Sequence, residues 1–356
     1  MKEILSYEEA ISHLNKNQYC WLITGVAGFI GSNLLETLIK NNQFVVGIDN
    51  LSTGYKKNLE NVEHLYQDLF KKNFVFIEGD VCDQSTCSNA FKACRSFITL
   101  NGIKCQSVDF VLHQAALGSV PRSIEDPIST NLHNVTGFLN ILNFSKDQNI
   151  RRFVYASSSS VYGDEQTLPK VEQITGNLLS PYAVTKYTNE LYADVFEKNF
   201  KIETVGLRYF NVFGPRQDPN GMYAAVIPKW IDSFINNRTV EIYGDGKTTR
   251  DFCFIDNVVQ ANVLSALSRN KNISGQVYNI AFGSKITLEE LALLIKENLQ
   301  ARNVKSNFQI EKKDFRQGDI RHSIASIQKA KEIMGYNPTH SVLDGIEKSM
   351  AWYLND

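Results

Sequence analysis

The stretch CWLITGVAGFIGSNLLETLIKN, Cys20–Asn41, decides the fold. Its first five residues are an apolar run that stops at Gly25, and apolar residues then recur at helical spacing from Phe29 onward. Between the two lie Gly25, Gly28 and Gly31, spaced GxxGxxG. A strand that turns on glycines into a helix brings bare backbone and free helix N–H groups together, which is what a pyrophosphate needs. A tight turn without a ligand is the alternative. The next apolar run, FVVGID, ends in Asp49, 24 residues after Gly25. A carboxylate there accepts hydrogen bonds from both ribose hydroxyls of an adenosine and repels a 2′-phosphate, so NAD is favoured over NADP. Asp80, after the run FVFIEGD, is placed to meet the adenine amine or to stand as a solvated strand-end carboxylate.

Outward from this unit the pattern repeats. VDFVLHQAA, RRFVYASS and IETVGLRY read as further strands, and PISTNLHNVTGFLNILNFSK and SPYAVTKYTNELYADVFEKN read as helices between them. Apolar runs alternating with helices predict an α/β fold, a Rossmann-type doubly wound parallel sheet covered on both faces. Beyond Leu207 the alternation loosens, which predicts a smaller α/β C-terminal substrate lobe. The expected division is 1–207 as the NAD-binding domain, with 251–281 returning to it, and 208–250 with 282–356 as the substrate domain. The cleft between two such lobes holds the ligand.

Composition narrows the class. With 43% hydrophobic and 21% charged residues in 356, the chain reads as a soluble globular protein. A net charge of −1 supplies no field for nucleic acid or anionic membrane. The six cysteines form no CxxC pair and no zinc-like spacing with histidine, so no metal is expected and reduced thiols in the cytoplasm are. The N-terminal stretch lacks the apolar core of a signal peptide, and no apolar run is long enough for a membrane span.

SPYAVTKY supplies the reactive pair. Tyr182 and Lys186, four apart, share one helix face, and Ser180-Pro181 is a helix start. An ammonium beside a phenol favours the phenolate, so a lowered tyrosine pKa is expected. Such a tyrosine takes a proton from a sugar hydroxyl while hydride leaves the carbon. An isolated YxxxK is ordinarily just a helix face; the glycine turn upstream and the serine-bearing strand end YASSSSVYGD at 155–164 give it meaning.

Together with DNLSTG, GDV, HQAA, RYFNVFGPRQDPNG, GDGKTTRDF and RQGDIRHS, these motifs resemble the extended short-chain dehydrogenase/reductases, specifically the nucleotide-sugar epimerases. They run from residue 24 to 323, nearly the whole chain. ALGSVPRSIEDP and NGMYAAVIPKW resemble the UDP-N-acetylglucosamine 4-epimerase branch, and an N-terminal extension packed ahead of the first strand is also familiar from that family. The resemblance implies an isomerase that binds NAD and a UDP-sugar. In it Ser158, Tyr182 and Lys186 are catalytic. Phe29, Ile30, Asn50, Ser52, Thr53, Gly54, Val81, Gln114, Ala115, Ala116, Asn134 and Tyr209 join Gly25, Gly28, Gly31, Asp49 and Asp80 around the cofactor. Asn211 and Arg250 hold the diphosphate. Ala225, Val226, Arg316 and Asp319 hold the uridine, with Lys229 also on the substrate side. Gly118, Ser119, Ser159 and Gln217 meet the hexose. A homodimer built on a four-helix bundle from 127–147 and 181–199 is implied as well.

Two substitutions within that pattern sharpen the expectation. Dehydratases and a decarboxylase relative carry Asp-Glu or Glu just after the Ser158 position, whereas this chain has Ser159 and Ser160. A serine hydroxyl is too weak an acid to drive elimination, so the 4-keto sugar is expected to be reduced back, inverting C4. A tyrosine that closes the hexose pocket in enzymes restricted to glucose and galactose aligns with Ser323. Serine there leaves room for an N-acetyl group, or it caps the following helix. UDP-N-acetylglucosaminuronate and UDP-glucose remain alternative substrates, with Arg122 keeping the uronate open. A net oxidoreductase, a dehydratase and a non-enzymatic NAD sensor of the same fold are the remaining alternatives.

Overall fold

A computed structural model describes residues 3–100, 107–221, 224–304, 309–315 and 321–354. Six strands come first: Cys20–Thr24 (β1), Phe44–Asp49 (β2), Phe74–Glu78 (β3), Phe110–His113 (β4), Arg152–Ser158 (β5) and Thr204–Tyr209 (β6). Short strands follow at Val212–Phe213 (β7), Val240–Tyr243 (β8), Thr249–Arg250 (β9) and Cys253–Phe254 (β10), then Gln276–Ile280 (β11), Ile286–Thr287 (β12) and Ile310–Lys313 (β13). One seven-stranded parallel sheet has the order β11-β6-β5-β4-β1-β2-β3. The expected doubly wound sheet is therefore present.

The chain winds outward from β1 to β3, then crosses back to β4 on the other side of β1. The order reverses between β1 and β4, and ligands of such sheets bind at that reversal, outside the carboxyl ends of the strands. Strand β1 is buried along its whole length. Trp21 and Ile23 enter the apolar cluster on one face of the sheet, and Cys20 and Leu22 enter the cluster on the other. The period of two explains why the strand reads as a continuous apolar run.

Helices cover both faces. The N-terminal helix Tyr7–Lys16 (α1) is started by a capping box, Ser6 with Glu9. The next are Phe29–Lys40 (α2), Lys56–Asn73 (α3), Gln84–Leu100 (α4), Val120–Glu125 (α5), Pro127–Asn131 (α6), Gly137–Lys146 (α7) and Pro181–Phe200 (α8). Val226–Ile235 (α9), Ile255–Leu267 (α10), Leu288–Ala301 (α11), Gln328–Met334 (α12) and Val342–Leu354 (α13) complete the set. Helix α1 packs on α10. Helix α10 packs on α2 and β5, and β11 adds a strand beside β6, so residues 255–280 return to the sheet.

The segment 127–146, expected as one helix, is interrupted by a π turn at Leu132–Thr136. The turn aims His133 at Asp80 and Asn134 at Leu117, and such bulges often accompany sites. Helix α8 begins as its sequence predicts: Pro181 occupies its first turn, and the Ser180 hydroxyl accepts the Ala183 N–H at 3.2 Å.

Candidate active site

A cavity of about 710 Å³ opens over the carboxyl ends of β1, β2, β4, β5 and β6. The glycine turn forms its floor. Gly25 has φ +70°, and a Cβ there would stand 2.8 Å from the Ala115 nitrogen. A Cβ on Gly31 would fall 2.1 Å from the Gly25 oxygen. Only glycine lets α2 begin this close to the strand, leaving its first N–H groups open to the cavity. The lining includes Gly28, Phe29, Ile30, Asn50, Ser52, Thr53, Gly54, Val81, Gln114, Ala115, Ala116 and Tyr209.

Asp49 is buried at the end of β2 and accepts the Ala27 N–H at 2.9 Å and the Leu51 N–H at 2.8 Å. Burial pushes its carboxyl above the ordinary value, and those backbone donors oppose the rise. A carboxylate has about four acceptor positions, more than these backbone donors use, so capacity remains for a ribose hydroxyl. At Asp80, burial is outweighed by hydrogen bonds from the Cys82 N–H and Asn50 and by the charge of His133, and its pKa falls below the ordinary value. Asp80, Cys82 and His133 hold a carboxylate oxygen, a thiol sulfur and an imidazole nitrogen within 4.8 Å of one another, a grouping that the linear spacing does not reveal. Asn134 does not line the cavity. Its buried amide holds both the N–H and the carbonyl of Leu117, at 2.7 and 3.1 Å, and so fixes the loop that does.

Strand β5 and helix α8 meet rung by rung. Lys186 Nζ donates to the Ala156 carbonyl at 2.8 Å, the Ser157 hydroxyl donates to Glu190 at 2.5 Å, and Ser158 faces Tyr182 closely enough to oppose the rise that burial gives its pKa. Three consecutive strand residues thus engage positions 186, 190 and 182, one face of the helix. Behind the middle rung, Arg208 on β6 clamps Glu190 with two bonds, of 2.9 and 2.8 Å. Both side chains are buried, at 3% and 8% exposure, so each neutralises a charge that the core could not otherwise hold. Arg208 also donates to the Glu172 carbonyl and lies over the Tyr162 ring. Tyr162, whose hydroxyl donates to Asn279, belongs to this scaffold.

The expected lowering of the Tyr182 pKa is not what the structure holds. Burial raises it, and only the Ser158 hydrogen bond opposes the rise. Lys186 donates a hydrogen bond to the Ala156 carbonyl, with Nζ 5.9 Å from the tyrosine ring centroid, and burial lowers its own pKa to about 8.

On the other wall lie Gly118, Ser119, Ser158, Ser159, Asn211, Gln217 and Ala225. The Gln217 Oε1 is buried without a hydrogen-bond partner among the described residues. Val226, Lys229, Arg250 and Ser323 do not line the cavity, and Arg316 and Asp319 lie outside the described residues. Ser323 caps no helix: its N–H donates to the Thr249 carbonyl at 3.2 Å, and α12 starts five residues later at Gln328. Sequence reasoning missed Tyr55 and Asp218, which line the cavity and are joined by a 2.7 Å hydrogen bond across 163 positions.

Residues 21–281 match the NAD dependent epimerase/dehydratase family. The UDP-glucose 4-epimerase of Mycolicibacterium smegmatis is 32% identical over 336 residues, 94% of this chain and 98% of its own. A UDP-N-acetylglucosamine 4-epimerase from Methanobrevibacter ruminantium M1, solved with UDP-N-acetylmuramic acid, superimposes with a TM-score of 0.81 at 34% identity, covering 95% of this chain and 99% of its own. A UDP-glucuronic acid 4-epimerase from Bacillus cereus, solved with UDP-glucuronic acid and NAD, gives 0.78 at 32%, covering 94% and 99%. The glycine cradle, the buried Asp49 and these matches agree, and the chain belongs to the NAD dependent epimerase/dehydratase family, with NAD as its cofactor.

Proposed function

We propose that the chain epimerises a UDP-N-acetylhexosamine at C4, interconverting UDP-GlcNAc and UDP-GalNAc through a transient 4-keto sugar. The observation that carries this is the placement of Ser158, Tyr182 and Lys186 together on the lining of the cavity that the glycine cradle floors. Bound NAD supplies the acceptor and the donor of the C4 hydride. Tyr182 removes the O4 proton as C4 is oxidised, and returns it when C4 is reduced from the other face. Ser158 orients O4, and Lys186 anchors the base of α8 to β5 while presenting its ammonium to the cofactor ribose. The sugar turns about its diphosphate, held on the Asn211 side, between the two half-reactions. The result is inversion at C4 with no net redox change. The carboxylates that line the cavity, Asp49, Asp80 and Asp218, lie on segments other than the end of β5, where an eliminating acid would be needed.

The acetamido preference rests on the Methanobrevibacter neighbour and on the open space beside Gly118, which lines the cavity. Arg122, which lines the cavity, supports a second reading in which the sugar carries a uronate. Purified protein given UDP-GlcNAc, UDP-glucose or UDP-N-acetylglucosaminuronate separates these, with UDP-GlcNAc expected to be turned over fastest. Tyr182→Phe is expected to abolish turnover while NAD stays bound. Turnover near the wild-type rate in that variant removes the assignment.

The same reading includes a homodimer. Ile128, Leu132, Val184, Leu191 and Val195 are exposed, Ile128 at 80%, on α6, the π turn and α8, which pack side by side. A second copy laying its own pair of helices across this apolar strip completes a four-helix bundle.

A further inference from the structure

Ser158 is the hydroxyl nearest the chemistry, and its hydrogen bonds restrict what it can do. Its oxygen accepts the Ser160 hydroxyl at 2.9 Å and the Ser160 N–H at 3.2 Å. A serine hydroxyl has two acceptor positions and one proton to donate. One residue therefore fills both acceptor positions. Ser160 itself does not line the cavity, so whatever it contributes passes through Ser158.

We infer that Ser160 is a positioning residue that leaves Ser158 able only to donate, so the O4 proton passes directly to Tyr182 and not through Ser158. This rests on the epimerase reading above. A relay would require Ser158 to accept the O4 proton while giving its own to the phenolate, and it has no open acceptor position for that proton. In the direct path the O4–H bond breaks and the Tyr182 O–H bond forms, with the hydride balanced by NAD. Ser158 keeps its proton throughout, donating it to the phenolate oxygen before the transfer and to the C4 carbonyl oxygen after it. A chain of hydroxyls, Ser160 to Ser158 to Tyr182, polarises in one direction and stabilises the phenolate more than a freely rotating serine would. Ser160 thus has a use beyond the absence of a carboxylate at its position.

The titratable and charged groups around the phenol are Lys186 on the same helix, bound to the Ala156 carbonyl, and His113 on β4 beside Lys186, with its pKa lowered by burial to about 3. The closed Glu190–Arg208 pair lies behind them. Ser160→Ala changes none of these.

The test compares wild type, Ser160→Ala and Ser160→Thr as NAD-loaded proteins. Phenolate absorbance is titrated against Tyr182→Phe, which subtracts the other 14 of the chain's 15 tyrosines. Ser160→Ala is expected to move the Tyr182 titration upward by about half a unit to one unit, and Ser160→Thr to bring it back. In turnover, Ser160→Ala is expected to lower kcat about tenfold with KM within about twofold, its acidic limb shifting to higher pH. A Ser160→Ala protein that titrates as wild type, or that changes only in Tm, overturns the inference. The titration needs no substrate, so an enzyme inactive on every UDP-sugar would remove the epimerase reading and the O4 path with it, and still leave the effect of Ser160 on Tyr182 decided.

Discussion

Replacing Glu190 by alanine tests whether the buried clamp behind the active site holds α8 on β5. The change leaves Arg208 Nε and Nη2 unpaired in a site where the guanidinium is 3% exposed. It also removes the acceptor of the Ser157 hydroxyl. Arg208 keeps only its bond to the Glu172 carbonyl at 3.1 Å and its place over the Tyr162 ring. Breaking one partner of such a pair costs about 3–5 kcal/mol, because the other charge stays buried. With m at about 3 kcal/mol/M or more for a chain of this size, the urea midpoint falls by about 1 M. Arg208→Met alone should cost a similar amount, since it strands Glu190. The double variant should be more stable than the sum predicts, with a coupling energy of about 2–3 kcal/mol, because neither charge remains. Equilibrium unfolding by fluorescence and circular dichroism at one fixed NAD concentration measures all four proteins. A loss under about 1 kcal/mol for Glu190→Ala, or a double variant that merely adds the two losses, refutes the clamp.

Other outcomes follow from single features of the structure. Gly31→Ala puts a methyl 2.1 Å from the Gly25 oxygen, so the turn must open and α2 retreat. Protein purified with this change should carry less than about a tenth of the wild-type NAD, read by acid release of the nucleotide. Asp251 is buried, accepts backbone N–H groups of Phe282, Gly283 and Ala325, and has its pKa raised by that burial from 3.8 to about 7. Between those two values the folded chain keeps a proton that the unfolded chain releases, so stability falls as pH rises through that window and levels off above it. The difference between wild-type and Asp251→Asn melting curves from pH 4 to 7 should slope accordingly, and a flat difference would contradict the assignment. Ile128→Glu with Leu191→Lys should convert the proposed dimer to a monomer in sedimentation velocity. A dimer that survives both charges would place the interface elsewhere.

Much of the site was legible because its determinants are local. The three glycines, the strand before them and Asp49 lie within thirty residues, and each states its backbone requirement in its own side chain or lack of one. Tyr182 and Lys186 share a helix turn, and Ser180 with Pro181 marks that helix start. Other features needed distances the chain does not display. Asn134 looked like a cofactor contact, yet a π turn carries it onto Leu117. Arg208 and Glu190 stand 18 positions apart, and their pairing depends on how α8 packs over β5 and β6.

The electrostatics divide the same way. Periodicity and glycine placement act over a few residues, so the parallel sheet, the dinucleotide cradle and the shared helix face of Tyr182 and Lys186 were legible in the chain alone. The tertiary structure decided the protonation behaviour of Tyr182 and Lys186. Burial shifts both, and burial is a sum over segments far apart in the chain. It also decided that Ser158 accepts twice from Ser160, a constraint that comes from the bend at the end of β5 and not from the serines' being adjacent.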